Sequence, residues 1–312
     1  MSHHVVVGAG PVGHGTALEL AGRGTAVTVV TRSGSGPEHP LVTRLALDAT
    51  DADALTGAAK GAAAIYNCAN PPYHRWPEDW PPLHAAMMAA AERTGAVLVM
   101  TDNLYAFGPG ATMPMQEGDP MRATGRKGAM RARMATELLD AHSAGRLRAT
   151  LARASDFYGP GVLGSAMGDR VVPKVLAGKK VSVLGGLDVP HSFSYMPDVV
   201  RTLTTIATDE RAWGRAWHVP NAPAVSQRQF VTALAAAAGT TAKVGAVPKG
   251  MIGALGLFVP MMRELKETWY QFAEPFVSPG SAAAAVFGLT PTPLVEGAAA
   301  TVAWWKAQPT GK

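Results

Sequence analysis

The residues with the clearest chemical meaning form a glycine-rich turn near the start of the chain. Gly8, Gly10 and Gly13 follow an apolar run at residues 5–7 and precede a helix-forming stretch at residues 16–21. Gly8 would permit a tight turn, Gly10 would let the backbone approach a pyrophosphate, and Gly13 would let the helix pack on the strand. Free N–H groups at the start of that helix favour an anion. The predicted phosphate contacts come from Gly8, Gly10, Pro11, Val12 and Gly13.

The residues after the second predicted strand indicate which dinucleotide would bind. An acidic residue at that place binds the ribose 2′-hydroxyl of NAD, whereas a cation accepts the 2′-phosphate of NADP. This chain has Arg32 and Ser33 there, a planar cation and a hydroxyl donor, so we expect NADP(H) to be favoured over NAD(H). Asp48, after the third strand, has two interpretations: it accepts from the adenine amino group, or it caps the helix beginning near Asp51.

Strands and helices alternate through the first half of the sequence, which is typical of a parallel sheet covered on both faces. The β-rich runs after the first lie at residues 27–31, 44–47, 62–66, 97–101, 149–153 and 181–184. The helical stretches between them lie at residues 16–22, 52–59, 83–94 and 126–142. The sequence therefore predicts an α/β fold whose ligands bind at the carboxyl ends of the strands.

The pattern changes near Tyr158, where glycine and proline become denser. We expect a nucleotide-binding domain at residues 1–157 and a mainly substrate-binding cap at 158–312, with about 190–210 returning to the sheet layer. The helices predicted in this second part lie at residues 226–238, 250–258, 263–272 and 295–305.

Composition excludes several classes of function. The net charge of +5 comes without a basic strip, so nucleic acid is not expected as a partner. The most apolar late stretch, residues 250–262, is too short to span a bilayer and contains Pro260, so no membrane association is expected. Cys68 is the only cysteine, which predicts no internal disulfide and a reducing, cytoplasmic location. The histidines show no HExxH pattern, so no metal is predicted.

Several segments together resemble a known family. They are VVVGAGPVGHGTA, LALDATD, NCA, TDNLYAFGPG, TLARASDFYGPGV, HSFSYMPDVVRTL and FGLTPTPLVEGAAATVAWWK, in that order. The chain resembles the extended or atypical short-chain dehydrogenase/reductases, which are related to the NAD-dependent epimerase/dehydratases. The resemblance implies a Rossmann-type doubly wound sheet, a bound nicotinamide nucleotide and a smaller C-terminal substrate-binding domain. It also implies cofactor contacts from the turn Cys68, Ala69 and Asn70, and a homodimer formed through the helices at residues 83–94 and 126–142.

The chain departs from the family pattern at the catalytic positions. Family members carry a serine after the fifth strand and a Tyr-x-x-x-Lys on the next long helix. Here Asn103 takes the place of the serine, Thr124 that of the tyrosine and Gly128 that of the lysine. A threonine hydroxyl is far less acidic than a phenol and is a poor proton donor to a developing alkoxide. The chain thus resembles an atypical subgroup that lacks these residues.

Other residues nearby are candidates to replace the missing group. Tyr105, just after the fifth strand, would donate a proton with Lys127 as the cation that makes its phenol reactive, and Asn103 would hold the substrate oxygen. The alternatives are a tyrosine packed under a loop and a lysine exposed on a basic helix. The proline- and aromatic-rich residues 70–82 would form a wall of the substrate pocket or anchor a loop in the core, and the two roles are compatible.

Three functions are consistent with these residues. The first is an NADP(H)-dependent oxidoreductase that acts on a carbonyl or related group of a small organic molecule. The second is a sugar-nucleotide epimerase or dehydratase, as the resemblance implies. The third is a protein that binds NADP(H) without turning it over and serves as a redox sensor or regulator. Because fold alone does not decide among them, all three stay open at this point.

Overall fold

The strand that begins the described chain lies inside a seven-stranded sheet, flanked on both sides by parallel neighbours. The computed structural model describes residues 3–247, 250 and 266–308. Its strands are β1 (His3–Val7), β2 (Ala26–Thr31), β3 (Val42–Ala46), β4 (Ala62–Asn67), β5 (Val97–Asn103), β6 (Arg148–Ala154), β7 (Asp156–Tyr158), β8 (Val181–Leu184), β9 (Pro190–His191), β10 (Phe193–Tyr195), β11 (Ala216–His218), β12 (Val225–Ser226) and β13 (Val244–Val247). The sheet order is β11-β6-β5-β4-β1-β2-β3, and every pairing from β6 to β3 is parallel.

Helices cover this sheet and close its core. The described helices are α1 (Pro11–Gly22), α2 (Ala52–Ala58), α3 (Trp76–Thr94), α4 (Arg126–Ser143), α5 (Val172–Leu176), α6 (Met196–Thr208), α7 (Gln227–Ala238), α8 (Tyr270–Ala273), α9 (Ser281–Phe287) and α10 (Leu294–Ala307). The main cluster joins strand residues such as Ile65 and Leu98 to helix residues such as Leu55, Met87 and Leu138. The prediction of an α/β, Rossmann-type doubly wound sheet is confirmed.

Helix α3 begins seven residues before the predicted start at residue 83. The sequence predicts residues 70–82 as a pocket wall or an anchored loop, but a 3-10 turn at Tyr73–Arg75 leads directly into α3, and the helix continues through Pro81 and Pro82. Trp76 and Trp80 lie one helical turn apart and are both buried in the core. Burial of two large rings outweighs the local cost of proline in a helix. Residues 73–82 are therefore anchored in the core.

The seventh strand of the central sheet is not the one that the sequence predicts. Residues 181–184 do form a strand, β8, but it pairs in parallel with β13 in a separate two-stranded sheet. The place at the edge of the central sheet is taken by β11, a three-residue strand that has no strong β pattern of its own. Short strands are set by tertiary pairing more than by propensity.

The chain divides into two compact units, each built from separate segments. Unit 1 contains residues 1–108, 120–154 and 199–217, and unit 2 contains residues 109–119, 155–198 and 218–312. Unit 1 holds the central sheet. Unit 2 has its own core, in which Tyr158, Phe193, Phe230 and Leu234 are buried with α10 residues. The segment near 190–210 enters unit 1 at Val199, as a helix.

The helices predicted for the C-terminal part have different outcomes. The helix at 226–238 corresponds to α7, where Ser226 is the N-cap in a capping box, and that at 295–305 corresponds to α10. The helix predicted at 250–258 lies, apart from its first residue, outside the described residues. The beginning of the helix predicted at 263–272 lies outside them as well.

Candidate nucleotide-binding site

The turn between β1 and α1 is sterically fitted to glycine at two positions. Gly8 has φ +101°, a conformation that side chains disfavour, and a Cβ there would lie 2.7 Å from the Ala69 backbone. A Cβ on Gly13 would lie 2.0 Å from the carbonyl oxygen of Gly8. By contrast, a Cβ on Gly10 would have no heavy atom within 4 Å. The turn is thus closed on its inner side and open beside Gly10.

The open space lies at the N-terminus of a twelve-residue helix. Gly10 is the N-cap of α1 without a side-chain cap, and the first turn carries no acidic residue. Pro11 at the first helical position has no N–H, so the available backbone donors start at Val12. Uncapped N–H groups and the positive end of the helix dipole suit a pyrophosphate. These residues fit a dinucleotide, and a nicotinamide dinucleotide supplies hydride transfer when it is bound.

The residues after β4 complete the floor of this turn. The Cys68 N–H donates to the Val7 carbonyl, and Ala69 packs against Gly8. Burial raises the pKa of the Cys68 thiol to about 12, so this side chain stays protonated and packs as an apolar group. Asn70 is exposed. The segment offers backbone atoms and the Asn70 amide to a ligand, and its thiol is inert.

The residues predicted to read the adenosine half are exposed at the ends of β2 and β3. Arg32 and Ser33 form the turn after β2. Asp48 accepts from the N–H and the hydroxyl of Thr50, and these bonds, with the Arg32 charge, hold the pKa of its carboxyl below the usual value. The N-cap of α2 is Asp51, which accepts from two backbone N–H groups. The capping interpretation of Asp48 is therefore wrong, because a residue three positions later fills that place.

Gly128, the residue that the resemblance matches to the family lysine, lies where no side chain fits. A Cβ on Gly128 would lie 2.5 Å from the Ala123 Cβ and 2.7 Å from the Tyr105 carbonyl oxygen. Both distances are shorter than real contacts, so a lysine would force the backbone of α4 away from its neighbour. Thr124 is exposed just before α4. Asn103 lies at the carboxyl end of β5, and its side-chain oxygen accepts from the Tyr105 N–H at 3.0 Å.

A buried cation and a group of aromatic rings lie beside these positions. Lys127 is 1% exposed, and its Nζ lies 4.5 Å from the centroid of the Tyr73 ring. Trp76 contacts both Tyr73 and Tyr105, with centroids 4.9 Å and 5.9 Å apart, and Trp80 follows at 6.2 Å. We call Tyr73, Trp76, Trp80 and Tyr105 the aromatic group. The interpretation of Lys127 as an exposed lysine on a basic helix is wrong.

Below this group lies a buried charge network that the sequence analysis missed. Asp102 accepts from Arg131 Nε at 2.8 Å and from Arg153 Nε at 3.2 Å, and all three side chains are almost fully buried. Arg131 also donates to the Thr101 carbonyl and lies over the Trp80 ring. A sequence signal existed: the register pairs Asp102 with Arg153, an acid and a base near the ends of adjacent apolar strands.

A match to a family model spans residues 4–219 and bears the description NAD dependent epimerase/dehydratase family. The chain belongs to this family. The match includes the glycine turn, β5 and the whole of α4, so the departures at Asn103, Thr124 and Gly128 lie inside it. No curated protein matches the chain.

Solved structures share the fold over nearly the full chain. UDP-glucose 4-epimerase from Thermotoga maritima, with UDP-glucose, has 16% identity, covers 97% of this chain and 98% of its own, and has a TM-score of 0.80. dTDP-glucose 4,6-dehydratase from Bacillus anthracis, with NAD, has 14% identity, covers 98% and 97%, and has a TM-score of 0.78. UDP-glucuronic acid 4-epimerase from Bacillus cereus, with UDP-glucuronic acid and NAD, has 15% identity, covers 97% and 99%, and has a TM-score of 0.78.

Two further observations concern the described residues. No helix among them is long and apolar enough to cross a membrane. No group of three or more His, Cys, Asp or Glu side chains in the described part of the chain is arranged to hold a metal ion. The cytoplasmic location expected from the single cysteine stays a prediction.

Proposed function

We propose that this protein binds a nicotinamide dinucleotide at the glycine turn and acts on a sugar nucleotide, as an epimerase or dehydratase does. The observation that carries the proposal is the fit of residues 8–13 to a pyrophosphate in a chain of the epimerase/dehydratase family. Structural relatives bound to UDP-glucose and to UDP-glucuronic acid support a sugar nucleotide as the substrate class. The relatives therefore favour this alternative over a general carbonyl oxidoreductase.

We propose NADP(H) as the favoured cofactor. Arg32 and Ser33 are exposed after β2, where a 2′-phosphate would arrive, and neither residue is acidic. Relatives crystallised with NAD support a nicotinamide dinucleotide in general. Replacing Arg32 with alanine should weaken NADPH binding about tenfold, or about 1.4 kcal/mol, and leave NADH binding almost unchanged. Arg146→Ala, an exposed arginine paired with Glu92, is the control. Equal weakening of both cofactors would argue against a 2′-phosphate contact.

The residues proposed for the reaction are Asn103, Tyr105 and Lys127. Asn103 uses its oxygen to bind the Tyr105 N–H, so its amide nitrogen is the group that would orient a substrate oxygen. Tyr105 is partly buried against Trp76, and its hydroxyl would hydrogen-bond the substrate. Lys127 is a buried cation beside the Tyr73 ring.

A second function is favoured by the closure at Gly128, which removes the family lysine by geometry as well as by residue type. A protein without that lysine can still bind the dinucleotide and serve as a sensor. The deciding experiment has two stages. Fluorescence titration with NADPH and NADH measures binding, and a panel of UDP- and dTDP-sugars followed by NMR measures conversion. Binding with conversion supports the enzyme, binding without conversion on the whole panel supports the sensor, and no binding at millimolar cofactor rejects both.

A further inference from the structure

The ring of Tyr73 is in contact with the buried ammonium group of Lys127. The Lys127 Nζ lies 4.5 Å from its centroid, and a cation at that distance over a ring face is stabilised by the ring quadrupole. Lys127 is almost fully buried, whereas Tyr73 is partly buried. The phenol is therefore the member of this pair that solvent reaches.

The sheet topology places Tyr73 on the reactive side of the proposed ligand. Strand β1, with the glycine turn, lies between β2 and β4, which is the point where the strand order reverses. Arg32 follows β2, so the adenosine half is expected on that side and the nicotinamide half on the β4 side. Tyr73 lies six residues after the end of β4, one strand from the glycine turn, whereas Tyr105 lies two residues after the end of β5, two strands away.

We propose that Tyr73, assisted by Lys127, is the residue that exchanges the proton with the substrate, in place of the family tyrosine. This inference rests on the proposed function. An ammonium beside a phenol favours the phenolate, which is the form that accepts a proton. In the oxidative direction the substrate carbinol loses its hydroxyl proton to Tyr73 and a hydride to the oxidised dinucleotide. Its C–O bond becomes a carbonyl, Tyr73 becomes a neutral phenol, and reduction reverses each transfer.

The first test reads the ionisation of tyrosine in the protein without cofactor, by ultraviolet absorbance during a pH titration. Burial raises the pKa of three of the six tyrosines. They are Tyr66, Tyr158 and Tyr270. A tyrosine that ionises about one pH unit or more below the usual value of ~10 must then be one of the other three. We expect such a signal in the wild type and its loss in Tyr73→Phe.

Matched variants assign that signal. Tyr105→Phe and Tyr195→Phe should retain it, because each removes a different hydroxyl of the same kind. Lys127→Met should move it up by about one pH unit, and Lys60→Met, which changes an exposed lysine, should not. A signal that persists in Tyr73→Phe, or that disappears in Tyr105→Phe, overturns the assignment.

The second test separates this inference from the proposed function. With a substrate identified from the sugar-nucleotide panel, Tyr73→Phe should lower kcat about 100-fold, with KM and dinucleotide affinity within about twofold of wild type. Lys127→Arg should retain more activity than Lys127→Met. Failure of the wild type to bind dinucleotide removes the proposed function and this inference together. Normal binding and turnover with an unaffected Tyr73→Phe variant removes this inference alone.

Discussion

The two ends of the candidate site are built from different materials. At the glycine turn, backbone atoms and bare glycines form the surface, and the open position beside Gly10 leaves room for a ligand. At the start of α4, the space beside another glycine, Gly128, is occupied by the Tyr105 carbonyl. The polar groups near it are buried cations, and they lie against aromatic rings. Glycine therefore leaves space for a ligand at Gly10, whereas at Gly128 it leaves space that neighbouring protein atoms occupy.

This difference predicts that the two ends tolerate substitution to different degrees. A backbone-built phosphate site tolerates almost no change, because Gly8 and Gly13 each meet backbone atoms. A side-chain-built site can be rebuilt from other elements, and here residues 73–80 of the segment after β4 pack beside Lys127 and Arg131. Function changes more easily at the second kind of site.

We call the second end, with Lys127, Asp102, Arg131 and Arg153, the charged end, and the largest expected effect comes from breaking its ion pairs. Asp102→Asn keeps the shape of the side chain but leaves two buried guanidinium groups without their counter-charge. We expect a loss of about 3–5 kcal/mol in the free energy of unfolding, measured by urea denaturation. The control is Asp53→Asn, which breaks an exposed ion pair with Arg93 and should cost less than about 1 kcal/mol. Equal losses in the two variants would show that the network does not stabilise the fold.

The second prediction separates the contribution of the glycine turn to stability from its contribution to dinucleotide binding. Gly13→Ala places a Cβ against the Gly8 carbonyl and should lower the free energy of unfolding by about 3 kcal/mol. Gly10→Ala meets no atom and should leave stability within about 0.5 kcal/mol while it lowers dinucleotide affinity about tenfold. Normal dinucleotide affinity in Gly10→Ala would place the phosphates elsewhere.

The glycine turn and the sheet were predictable from local sequence patterns. The turn has a short motif, and the strands and helices have residues that repeat with a fixed period. The spacing of Gly8, Gly10 and Gly13 indicated a tight turn, and the described turn has the steric closure that two of those glycines require. The start of α3 was missed because the local signal of its prolines is opposed by the burial of Trp76 and Trp80.

The charged end was harder to predict because its contacts join distant parts of the chain. Lys127 was recognised as a candidate cation, but its contact with Tyr73 depends on how α4 packs beside the segment after β4. The same is true of Arg131, whose partner Asp102 lies on a different element. Sequence spacing finds a site built within one turn, whereas a site built between elements requires the fold.

The third prediction tests whether the closed position is a barrier to restoring the family residue. Gly128→Ala should lower the free energy of unfolding by about 2 kcal/mol, because its Cβ meets Ala123 and the Tyr105 carbonyl. Gly57→Ala, in the last turn of α2 with open space around it, should instead be neutral or stabilise by up to about 1 kcal/mol. A stable Gly128→Ala variant would mean that α4 can shift, and Gly128→Lys would then be worth testing for activity.

The smallest expected effect is a pH dependence that belongs to the charged end. Burial and the Arg131 guanidinium lower the pKa of His84 to about 4, against about 6.5 in the unfolded chain. Between these values the unfolded chain binds the proton and the folded chain does not, so stability rises with pH from about 4 to 6.5. We expect His84→Gln to lower the slope of this rise by about 1.4 kcal/mol per pH unit, measured by urea unfolding across the window. The exposed His74→Gln control should leave it unchanged, and an unchanged slope in His84→Gln would show that the folded structure does not lower the pKa of this imidazole.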